Sequence, residues 1–318
     1  MSGYTGKLLA VDLTSGKLED EPIDPNIAHD FVGGAGYAAR ILYDELGPDT
    51  DPLGPDNTLV FMTGPLVGTR APSTGRHEVC AISPLTGIWG ESNSGGFWGA
   101  ELRFSGYDGI IIRGRAEKPV WLSIIEGQPP TLHDAADLWG LDTYETQQRL
   151  RDELDDQKAR VASIGPAGEN LVLYAAIMND HGRAAGRTGM GAVMGSKNLK
   201  AIAVRGNQRI PLANKASFNE TAKEAVRIIC DDIATQVYQQ MGTASFVDMS
   251  IMWGNMPNKY WSQARFEEAT ALSGVSMMET ILTRAVPCYG CIVACGREVS
   301  LKDTPYGVEV VDGPEYET

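Results

Sequence analysis

The amino-acid sequence predicts an α+β protein in which a β-rich N-terminal domain is followed by the start of a helical domain. Of the 36 glycines, 29 lie before residue 211, where short strand-like segments are separated by turns. No glycine occurs between residues 207 and 241, where apolar residues recur at helical spacing. Hydrophobic residues make up 43% of the chain, enough for a substantial core. We therefore place the domains at residues 1–209 and 210–318.

The strands and helices of the first domain follow from local patterns along the chain. Lys7–Leu13 and Lys17–Ile23 flank Thr14-Ser15-Gly16, which predicts a β-hairpin. Helices are predicted over Ile27–Leu46 and Thr143–Leu154. Since strands do not alternate regularly with helices, a mixed β-rich domain is favoured over a doubly wound parallel sheet. The remaining strands are predicted at Thr58–Met62, Glu78–Ser83, Tyr107–Arg113, Val120–Ile125, Val161–Ile164, Leu171–Ile177 and Leu199–Val204.

An apolar stripe after Pro211 indicates the helical domain. Its residues recur at intervals of three and four, as on one face of an α-helix. We interpret the stripe as ordinary core packing. Its members are Ala222, Ala225, Val226, Ile229, Ile233 and Val237.

The charge balance and the cysteine count exclude several classes of protein. A net charge of −14 argues against nucleic-acid binding, because phosphate contacts need a surplus of lysine and arginine. The sequence contains neither a run of about 18 apolar residues nor a basic leader, so we expect no membrane partner. Five cysteines, three of them close together, do not resemble a disulfide framework, and we expect a reduced, cytoplasmic protein.

Cys288, Cys291 and Cys295 form the most specific motif, Pro-Cys-Tyr-Gly-Cys-Ile-Val-Ala-Cys-Gly. Two thiolates separated by two residues can bind one metal ion or neighbouring corners of a cluster, and the third fits the same centre. Three thiolates suit a [4Fe–4S] cluster that lacks its fourth ligand. Structural zinc usually adds a nearby histidine, but the nearest, His181, lies far upstream. Three unrelated buried thiols are the alternative.

The other two cysteines are interpreted as small core residues. Cys80 lies in a predicted strand, and Cys230 lies on a predicted helix beside apolar residues. We therefore expect the fourth cluster ligand to lie outside this sequence. Radical S-adenosylmethionine enzymes have three residues between their first two cysteines and two between the last pair. The cysteines here have the reverse spacing, which disfavours that class.

Two glycine-rich segments, residues 61–77 and 181–200, carry positive charge and no acid, although the whole chain is acidic. A third glycine-rich segment, residues 92–99, lies between them. Glycine lets backbone N–H groups approach a ligand, and arginine offers two parallel donors to a phosphate. We interpret the three segments as anion-binding loops, with solvated loops as the alternative. The basic residues are Arg70, Arg76, Arg183, Arg187, Lys197 and Lys200.

Two glycine patterns resemble nucleotide-binding fingerprints but lack the required context. Residues 34–39 match Gly-x-Gly-x-x-Ala, and residues 189–195 form a looser variant. Neither follows a convincing buried strand, as a dinucleotide-binding βαβ unit requires. A Walker A pattern is absent from the sequence, so we regard both matches as weak evidence for dinucleotide binding.

In combination, these segments resemble the tungsten-containing aldehyde ferredoxin oxidoreductase family, and the resemblance covers essentially the whole chain. It implies a β-rich base that holds a tungsten bis-pterin cofactor (tungstopterin), followed by largely helical domains. It also implies oxidation of an aldehyde to a carboxylic acid, with electrons passing singly through a [4Fe–4S] cluster to ferredoxin or an iron–sulfur electron-transfer subunit. The matching segments are residues 63–76, 83–87, 92–120, 162–171, 175–204, 287–297 and 313–317.

The resemblance further implies roles for individual residues. Asn93 and the Ala184 carbonyl would hold the Mg²⁺ that joins the two pterin phosphates. Glu317 is the candidate general acid or base. Three of the four cluster ligands would be Cys288, Cys291 and Cys295. The residues that contact the pterin would be Arg76, Asn93, Gly95, Arg183, Ala184 and Gly186.

The family pattern also extends past residue 318. The resemblance implies that the fourth cluster cysteine and two Asp-x-x-Gly-Leu pterin motifs lie there, so we expect part of a longer protein or a split gene product. Residues 137–142 match Asp-x-x-Gly-Leu literally, but we interpret them as a chance match at a helix N-cap.

Other functions stay open alongside aldehyde oxidation. One is another tungstopterin reaction, such as reduction of an activated aromatic acid. A second is a non-catalytic iron–sulfur electron carrier, and a remote third is a zinc-binding structural module. For the leading function we expect an oligomer that acts on a small-molecule aldehyde.

Overall fold

The computed structural model describes residues 1–180, 182–263 and 266–314, and it confirms the α+β class. These residues form two compact units. The first contains Met1–Arg70 and Thr74–Lys215, whereas the second contains Ala71–Ser73 and the chain from Ala216 onward. A three-residue segment of the N-terminal half therefore belongs to the second unit.

The described part of the chain contains fifteen strands and ten α-helices. The strands are β1 Lys7–Asp12, β2 Lys17–Pro22, β3 Leu59–Thr63, β4 His77–Ile82, β5 Trp89–Ser94, β6 Gly109–Arg113, β7 Val120–Ile125, β8 Thr131–Asp134, β9 Arg160–Ser163, β10 Ile177–Asn179, β11 Arg183–Ala185, β12 Leu199–Arg205, β13 Leu282–Val286, β14 Gly296–Leu301 and β15 Val308–Asp312. The helices are α1 Pro25–Phe31, α2 Gly34–Glu45, α3 Trp98–Phe104, α4 Thr143–Glu153, α5 Pro166–Glu169, α6 Met190–Ser196, α7 Lys215–Asp231, α8 Ile233–Met241, α9 Ser245–Trp253 and α10 Gly274–Thr280.

Two six-stranded mixed sheets form most of the first unit. Their strand orders are β2-β1-β6-β3-β4-β5 and β11-β10-β9-β12-β7-β8. The predicted hairpin is confirmed, since β1 pairs antiparallel with β2 from Lys7 opposite Pro22 to Asp12 opposite Lys17. Parallel pairing joins β1 to β6 and β12 to β7, so each sheet is mixed rather than doubly wound.

The first unit has a layered core because side chains along a strand point alternately to its two faces. In β3, Leu59 and Phe61 belong to a central cluster that also contains residues of α3, α6 and the second sheet. Val60 and Met62 lie on the opposite face, against α1 and α2. The side chains of the second sheet also point to two faces. One face contributes to the central cluster, and the other packs in a separate cluster that contains Leu150 of α4.

The single helix predicted over Ile27–Leu46 is wrong, because the structure divides it into α1 and α2. Val32 ends α1 with a positive φ of 64°, and its carbonyl oxygen accepts a hydrogen bond from the Tyr4 hydroxyl at 2.5 Å. Gly36 allows α2 to begin close to that end, since a Cβ there would overlap the Phe31 carbonyl oxygen. The break depends partly on Tyr4, which lies outside the apolar pattern.

The strand predicted over Leu171–Ile177 is wrong except for its last residue. Leu171 has a positive φ of 58°, and the backbone N–H groups of Val172 and Ala175 donate hydrogen bonds within local turns. β10 begins only at Ile177. The composition of the stretch suits a strand, but these backbone groups are already paired locally.

The second unit is not purely helical, because β13, β14 and β15 form an antiparallel sheet that the sequence pattern did not predict. The apolar stripe is also interrupted between α7 and α8. Ala222 is buried as expected, but Ile233 is 77% exposed, so the core-packing interpretation fails there. None of the helices in the described residues is both long and apolar enough to cross a membrane.

Helices α5 and α6 pack in direct contact through Gly168 and Gly195. A Cβ added at Gly195 would overlap the Gly168 carbonyl oxygen. We expect Gly195→Ala to lower the free energy of unfolding by about 1–3 kcal/mol, because backbone atoms must move to make room. Chemical denaturation of the purified protein measures this change.

Gly47→Ala is the matched control. No atom of the described residues lies within 4 Å of a Cβ added at Gly47. We expect its free energy of unfolding to stay within about 0.5 kcal/mol of the parent value. Equal stabilities of the two variants would contradict the packing argument.

Candidate functional site

Two edge strands, β5 of the first sheet and β11 of the second, lie side by side. The Ser92 hydroxyl donates to the Gly186 carbonyl oxygen at 2.9 Å and contacts the Thr188 hydroxyl at 2.5 Å. Backbone groups on the outer side of an edge strand are not used by its own sheet. We call this region the edge junction. It brings residues 93–95 close to residues 183–186, and both stretches contain predicted cofactor-binding residues.

Arg76 immediately precedes β4 and contacts Asn93 of β5. Its Nη2 donates to the Asn93 carbonyl oxygen at 3.0 Å, and its Nε donates to Asn93 Oδ1. Each of these oxygens has a second lone pair that can accept another hydrogen bond or bind a cation. The fold therefore places two of the predicted cofactor residues in direct contact.

Glu78 is a residue of this site that the sequence analysis missed. It lies opposite Asn93 in the β4–β5 ladder, and its Oε1 accepts a hydrogen bond from Asn93 Nδ2. Burial raises the pKa of its carboxyl group, and Oε2 has no hydrogen-bond partner among the described residues. The available signal was its position one residue after the basic segment, opposite Asn93 once the hairpin register is known.

Asp180 holds the loop that follows β5. Its Oδ2 accepts hydrogen bonds from the backbone N–H groups of Phe97 at 2.5 Å and Trp98 at 3.2 Å. Its Oδ1 accepts a hydrogen bond from Arg160 at 2.9 Å. Gly96 is required in this loop, because its φ is 85° and a Cβ there would overlap the Asp180 carboxylate. Asp180 therefore fixes the glycine-rich loop against the second sheet.

Asn179 strengthens the same connection from the neighbouring position. Its Oδ1 accepts a hydrogen bond from the Ser94 hydroxyl at 2.6 Å, and its Nδ2 donates to the Gly95 carbonyl oxygen at 3.0 Å. The sequence analysis did not assign a role to Asn179 or Asp180. Their partners in the glycine-rich loop lie more than 80 residues away along the chain, so no local pattern could identify them.

Two lysines of the basic segments do not belong to the edge junction. Lys197 is buried and donates to the carbonyl oxygens of Pro55 at 3.1 Å and Gly114 at 3.0 Å. Burial lowers the pKa of Lys197 to about 8. Lys200 is also buried and forms an ion pair with Glu169. The expectation that these lysines contribute to an anion-binding loop is therefore wrong.

A cavity of about 450 Å³ opens beside Arg76 and Glu78. The first turn of α2, residues 33–36, forms part of its wall, and helix N-termini carry partial positive charge. α1 precedes this turn, so the glycine pattern there lacks the buried strand of a dinucleotide fold, in agreement with the prediction. The apolar part of the wall consists of Val32, Met62, Pro65, Leu66 and Val67.

The three cysteines lie on the loop that joins β13 to β14, within the second unit. Val286 opposite Gly296 closes the loop, and the Cys291 backbone N–H donates to the Cys288 carbonyl oxygen at 3.1 Å. Cys288, Cys291 and Cys295 are half-buried. The cysteines are thus carried by a β-hairpin loop and not by the helices that dominated the prediction for this domain.

Arg297 anchors this cysteine loop to helix α8. It is 1% exposed and donates to the carbonyl oxygens of Tyr238 at 2.6 Å and Ala294 at 2.7 Å. The side chain of Gln239 donates to the loop carbonyl of Ile292 at 2.8 Å. A buried cation at the C-terminal end of α8 complements the helix dipole as well as the loop carbonyls.

No three His, Cys, Asp or Glu side chains of the described residues converge as ligands of a single metal ion. Such convergence is a requirement of a mononuclear zinc site, in which all ligands bind one ion. In a cubane iron–sulfur cluster, each cysteine thiolate binds a different iron atom.

Three further sequence predictions have different outcomes. Cys80 is buried in β4 as expected, but Cys230 is exposed on α7, so its interpretation as a core residue is wrong. Asp142 caps α4 by accepting a hydrogen bond from the Glu145 backbone N–H at 2.8 Å, which confirms the N-cap interpretation of residues 137–142. Glu317 lies outside the described residues.

Comparison with known protein families accounts for both halves of the chain. Residues 8–206 match the N-terminal domain of aldehyde ferredoxin oxidoreductase, and residues 220–318 match domains 2 and 3 of the same family. The chain belongs to the aldehyde ferredoxin oxidoreductase family. The resemblance inferred from the sequence segments is therefore confirmed.

Individual relatives match the full extent of the chain. The tungsten-containing aldehyde ferredoxin oxidoreductase of Pyrococcus abyssi is 43% identical, over 100% of this chain and 52% of the relative. The WOR-like subunit of an aliphatic sulfonate oxidoreductase from Pyrococcus furiosus is 33% identical, over 100% of this chain and 53% of the relative. Among solved structures, the active site complex BamBC of benzoyl coenzyme A reductase with 1,5-dienoyl-CoA has a TM-score of 0.82 and 31% identity.

The BamBC match covers 99% of this chain and 49% of the chain in that complex. Our chain likewise spans about half the length of the curated relatives it matches. The relatives in this aldehyde ferredoxin oxidoreductase family are named for chemically different substrates, so family membership does not identify a substrate.

His77 lies in β4 directly after Arg76 and is 2% exposed. Its ring contacts Trp98, with the ring centroids 4.7 Å apart, and its Nδ1 has no hydrogen-bond partner among the described residues. Burial lowers the pKa of the imidazole to about 3. The folded protein therefore holds this histidine in its neutral form.

We expect acid to destabilise the first unit through His77. Below a pH of about 6.5 the unfolded imidazole binds a proton, whereas the folded imidazole stays neutral down to about pH 3, so unfolding takes up a proton. As the pH is lowered, the free energy of unfolding should therefore decrease in both proteins, but more steeply in the parent than in His77→Phe. The difference in slope should be at most about 1.4 kcal/mol per pH unit. Urea denaturation between about pH 7 and 5 compares the two proteins, and parallel profiles would contradict this expectation.

Proposed function

We propose that this chain provides the cofactor-binding part of a tungstopterin enzyme that oxidises an aldehyde to a carboxylic acid. A bound [4Fe–4S] cluster would supply the electron transfer to ferredoxin or to an iron–sulfur electron-transfer subunit. The observation that carries the proposal is the edge junction, where Arg76, Asn93 and two glycine-rich segments come together. The 43% identity to a tungsten-containing relative over the whole chain supports the choice of cofactor.

The edge junction suits the phosphate groups of a pterin cofactor. Arg76 carries an exposed guanidinium whose Nη1 is not used in its two bonds to Asn93. Gly95 and Gly186 add little side-chain bulk, so backbone donors can approach a phosphate closely. The proposed pterin-contacting residues are Arg76, Asn93, Gly95, Arg183, Ala184 and Gly186.

Asn93 and the Ala184 carbonyl are proposed to hold a Mg²⁺ ion between the two pterin phosphates. Both residues are exposed, and both offer the oxygen ligands that Mg²⁺ prefers. Arg76 donates to the same Asn93 oxygens that would bind the cation. We propose that the guanidinium would also bind the phosphates, while Glu78 accepts a hydrogen bond from the Asn93 amide.

Cys288, Cys291 and Cys295 are proposed to be three ligands of the cluster. Their chemistry fits iron, since thiolates hold nearly all such clusters. Arg297 donates to the loop carbonyl of Ala294 and to the α8 carbonyl of Tyr238, so it holds the cysteine loop against α8. A loop held in this way loses less entropy when its thiolates bind a cluster.

Bound tungstopterin would supply the two-electron redox chemistry, and the role of the chain is to position that group. Asp180 and Asn179 keep the glycine-rich loop after β5 in place. Glu317 is proposed to give or take a proton at the substrate. We further propose that the enzyme is cytoplasmic, forms an oligomer and uses a small aldehyde.

Reduction of an activated aromatic acid is the second candidate function. It is favoured by the match to the BamBC complex of benzoyl coenzyme A reductase, with a TM-score of 0.82 over 99% of this chain. The higher identity to tungsten-containing aldehyde ferredoxin oxidoreductases, 43% against 31%, leads us to prefer aldehyde oxidation.

Metal analysis of the full-length protein, purified without oxygen, tests the proposal. We expect tungsten or molybdenum together with about four iron atoms per chain, and reduction of an artificial dye when an aldehyde is added. Iron without tungsten or molybdenum would instead indicate an electron carrier. Zinc without iron would indicate a structural module. Oxidation of a pre-reduced dye when an aromatic thioester is added, without dye reduction by aldehydes, would favour the second candidate function.

Arg76→Ala tests the phosphate-binding role of the edge junction. We expect it to weaken retention of the pterin cofactor by about 10- to 100-fold, because charge-assisted hydrogen bonds to phosphate are lost. Tungsten and pterin content after dialysis measure the effect. Arg209→Ala is the control, since Arg209 is exposed and lies outside the three glycine-rich segments. Full tungsten loading in Arg76→Ala would contradict the assigned role.

A further inference from the structure

The segment Ala71–Ser73, which belongs to the second unit, contacts the cysteine loop. The backbone N–H of Ser73 donates to the Gly290 carbonyl oxygen at 2.9 Å. The Ser73 hydroxyl lies 3.5 Å from Cys291 Sγ, a distance suited to an O–H···S hydrogen bond. The backbone hydrogen bond from Ser73 to Gly290, the residue before Cys291, thus fixes the position of the Ser73 hydroxyl.

Both sides of this contact use an unusual backbone conformation. Ser73 has a φ of 59° and Gly290 has a φ of 60°, both in the left-handed region. Glycine adopts this region without penalty, whereas a residue with a Cβ is disfavoured there. Position 73 therefore holds a serine where glycine would be easier to accommodate. What serine adds is a hydroxyl group directed at the Cys291 thiol.

We propose that Ser73 tunes the iron–sulfur cluster by donating a hydrogen bond from its hydroxyl to the Cys291 thiolate. The inference rests on the proposed function, because it requires Cys291 to be a cluster ligand. Reduction adds one electron to the cluster and makes its sulfur atoms more negative. A hydrogen bond to such a sulfur then stabilises the reduced form more than the oxidised form and raises the reduction potential.

Ser73 is a positioning residue in this proposal, and it acts only through Cys291. Its effect differs from that of Arg297, which donates to backbone carbonyl oxygens of the cysteine loop. Loss of Arg297 would alter the shape of the loop. Loss of the Ser73 hydroxyl would alter the electron affinity of the cluster while its three thiolate ligands stay in place.

Redox titration of the full-length protein, with dithionite as the electron donor and the electron paramagnetic resonance of the reduced cluster as the signal, tests the proposal. At the parent's midpoint potential, we expect the ratio of reduced to oxidised cluster in Ser73→Ala to be about threefold to tenfold lower, the range for one hydrogen bond. Iron content should equal that of the parent. A parent-like ratio in Ser73→Ala would overturn the proposal.

Two further variants separate the hydroxyl from the backbone. Ser73→Gly also lacks the hydroxyl but relieves the left-handed conformation, so we expect the same lowered ratio as in Ser73→Ala. Thr74→Val removes the neighbouring hydroxyl, which donates to the Leu66 carbonyl oxygen at 3.1 Å, and should keep the parent ratio. A ratio lowered in Ser73→Ala but not in Ser73→Gly would assign the effect to the backbone and overturn the proposal.

A measurement on the unsubstituted protein keeps the proposal testable if neither variant retains iron. Resonance Raman bands of the iron–cysteine bonds should shift between H₂O and D₂O, because the donated proton exchanges with solvent. Bands that do not move would overturn the proposal. A parent protein that binds no iron would overturn the cluster assignment itself, whereas a bound cluster with an unchanged potential in Ser73→Ala would overturn only the role of Ser73.

Discussion

The edge junction depends most on one carboxylate, that of Asp180. Its side chain is only 8% exposed, yet it accepts hydrogen bonds from Phe97, Trp98 and Arg160. These bonds join the loop at the end of the first sheet to the second sheet. Without the carboxylate, two backbone N–H groups would lose their acceptor, at a cost of about 1–3 kcal/mol for each one left buried. The approach of β5 and β11, and with it the proposed cofactor site, follows from this interaction.

The second unit uses a related device with the opposite charge. Arg297 is buried and donates to the carbonyl oxygens of Tyr238 and Ala294, so one cation connects a helix end to the cysteine loop. In each unit, a single buried charge satisfies several backbone groups that the glycine-rich or cysteine-rich loop cannot pair by itself. Loops that bind ligands contain few apolar side chains, and such charges take over the role that a hydrophobic core has elsewhere.

Local patterns predicted the elements whose pairing is local. The β1–β2 hairpin is confirmed residue by residue, since its turn and its strands lie within 17 residues of one another. The patterns did not predict the helix break at Val32, and they predicted a strand after Leu171 that the structure does not contain. In both places, hydrogen bonds decide the backbone conformation against the preference of the local composition. The basic segments contributed Arg76 to the site, but Lys197 of the same pattern is buried elsewhere. Sign of charge can be read from the sequence, whereas the direction of a side chain cannot.

The sequence by itself determined the α+β class, the cysteine spacing, the glycine-rich basic segments and, through them, membership in the aldehyde ferredoxin oxidoreductase family. These features depend on residues that are close together along the chain. Only the tertiary structure decided that β5 meets β11, that Glu78 holds Asn93 and that Ser73 contacts Cys291. Ser73 and Cys291 are 218 residues apart, and Ser92 and Gly186 are 94 apart. Contacts over such separations arise from how whole sheets and loops pack, and a local sequence pattern carries no record of that packing.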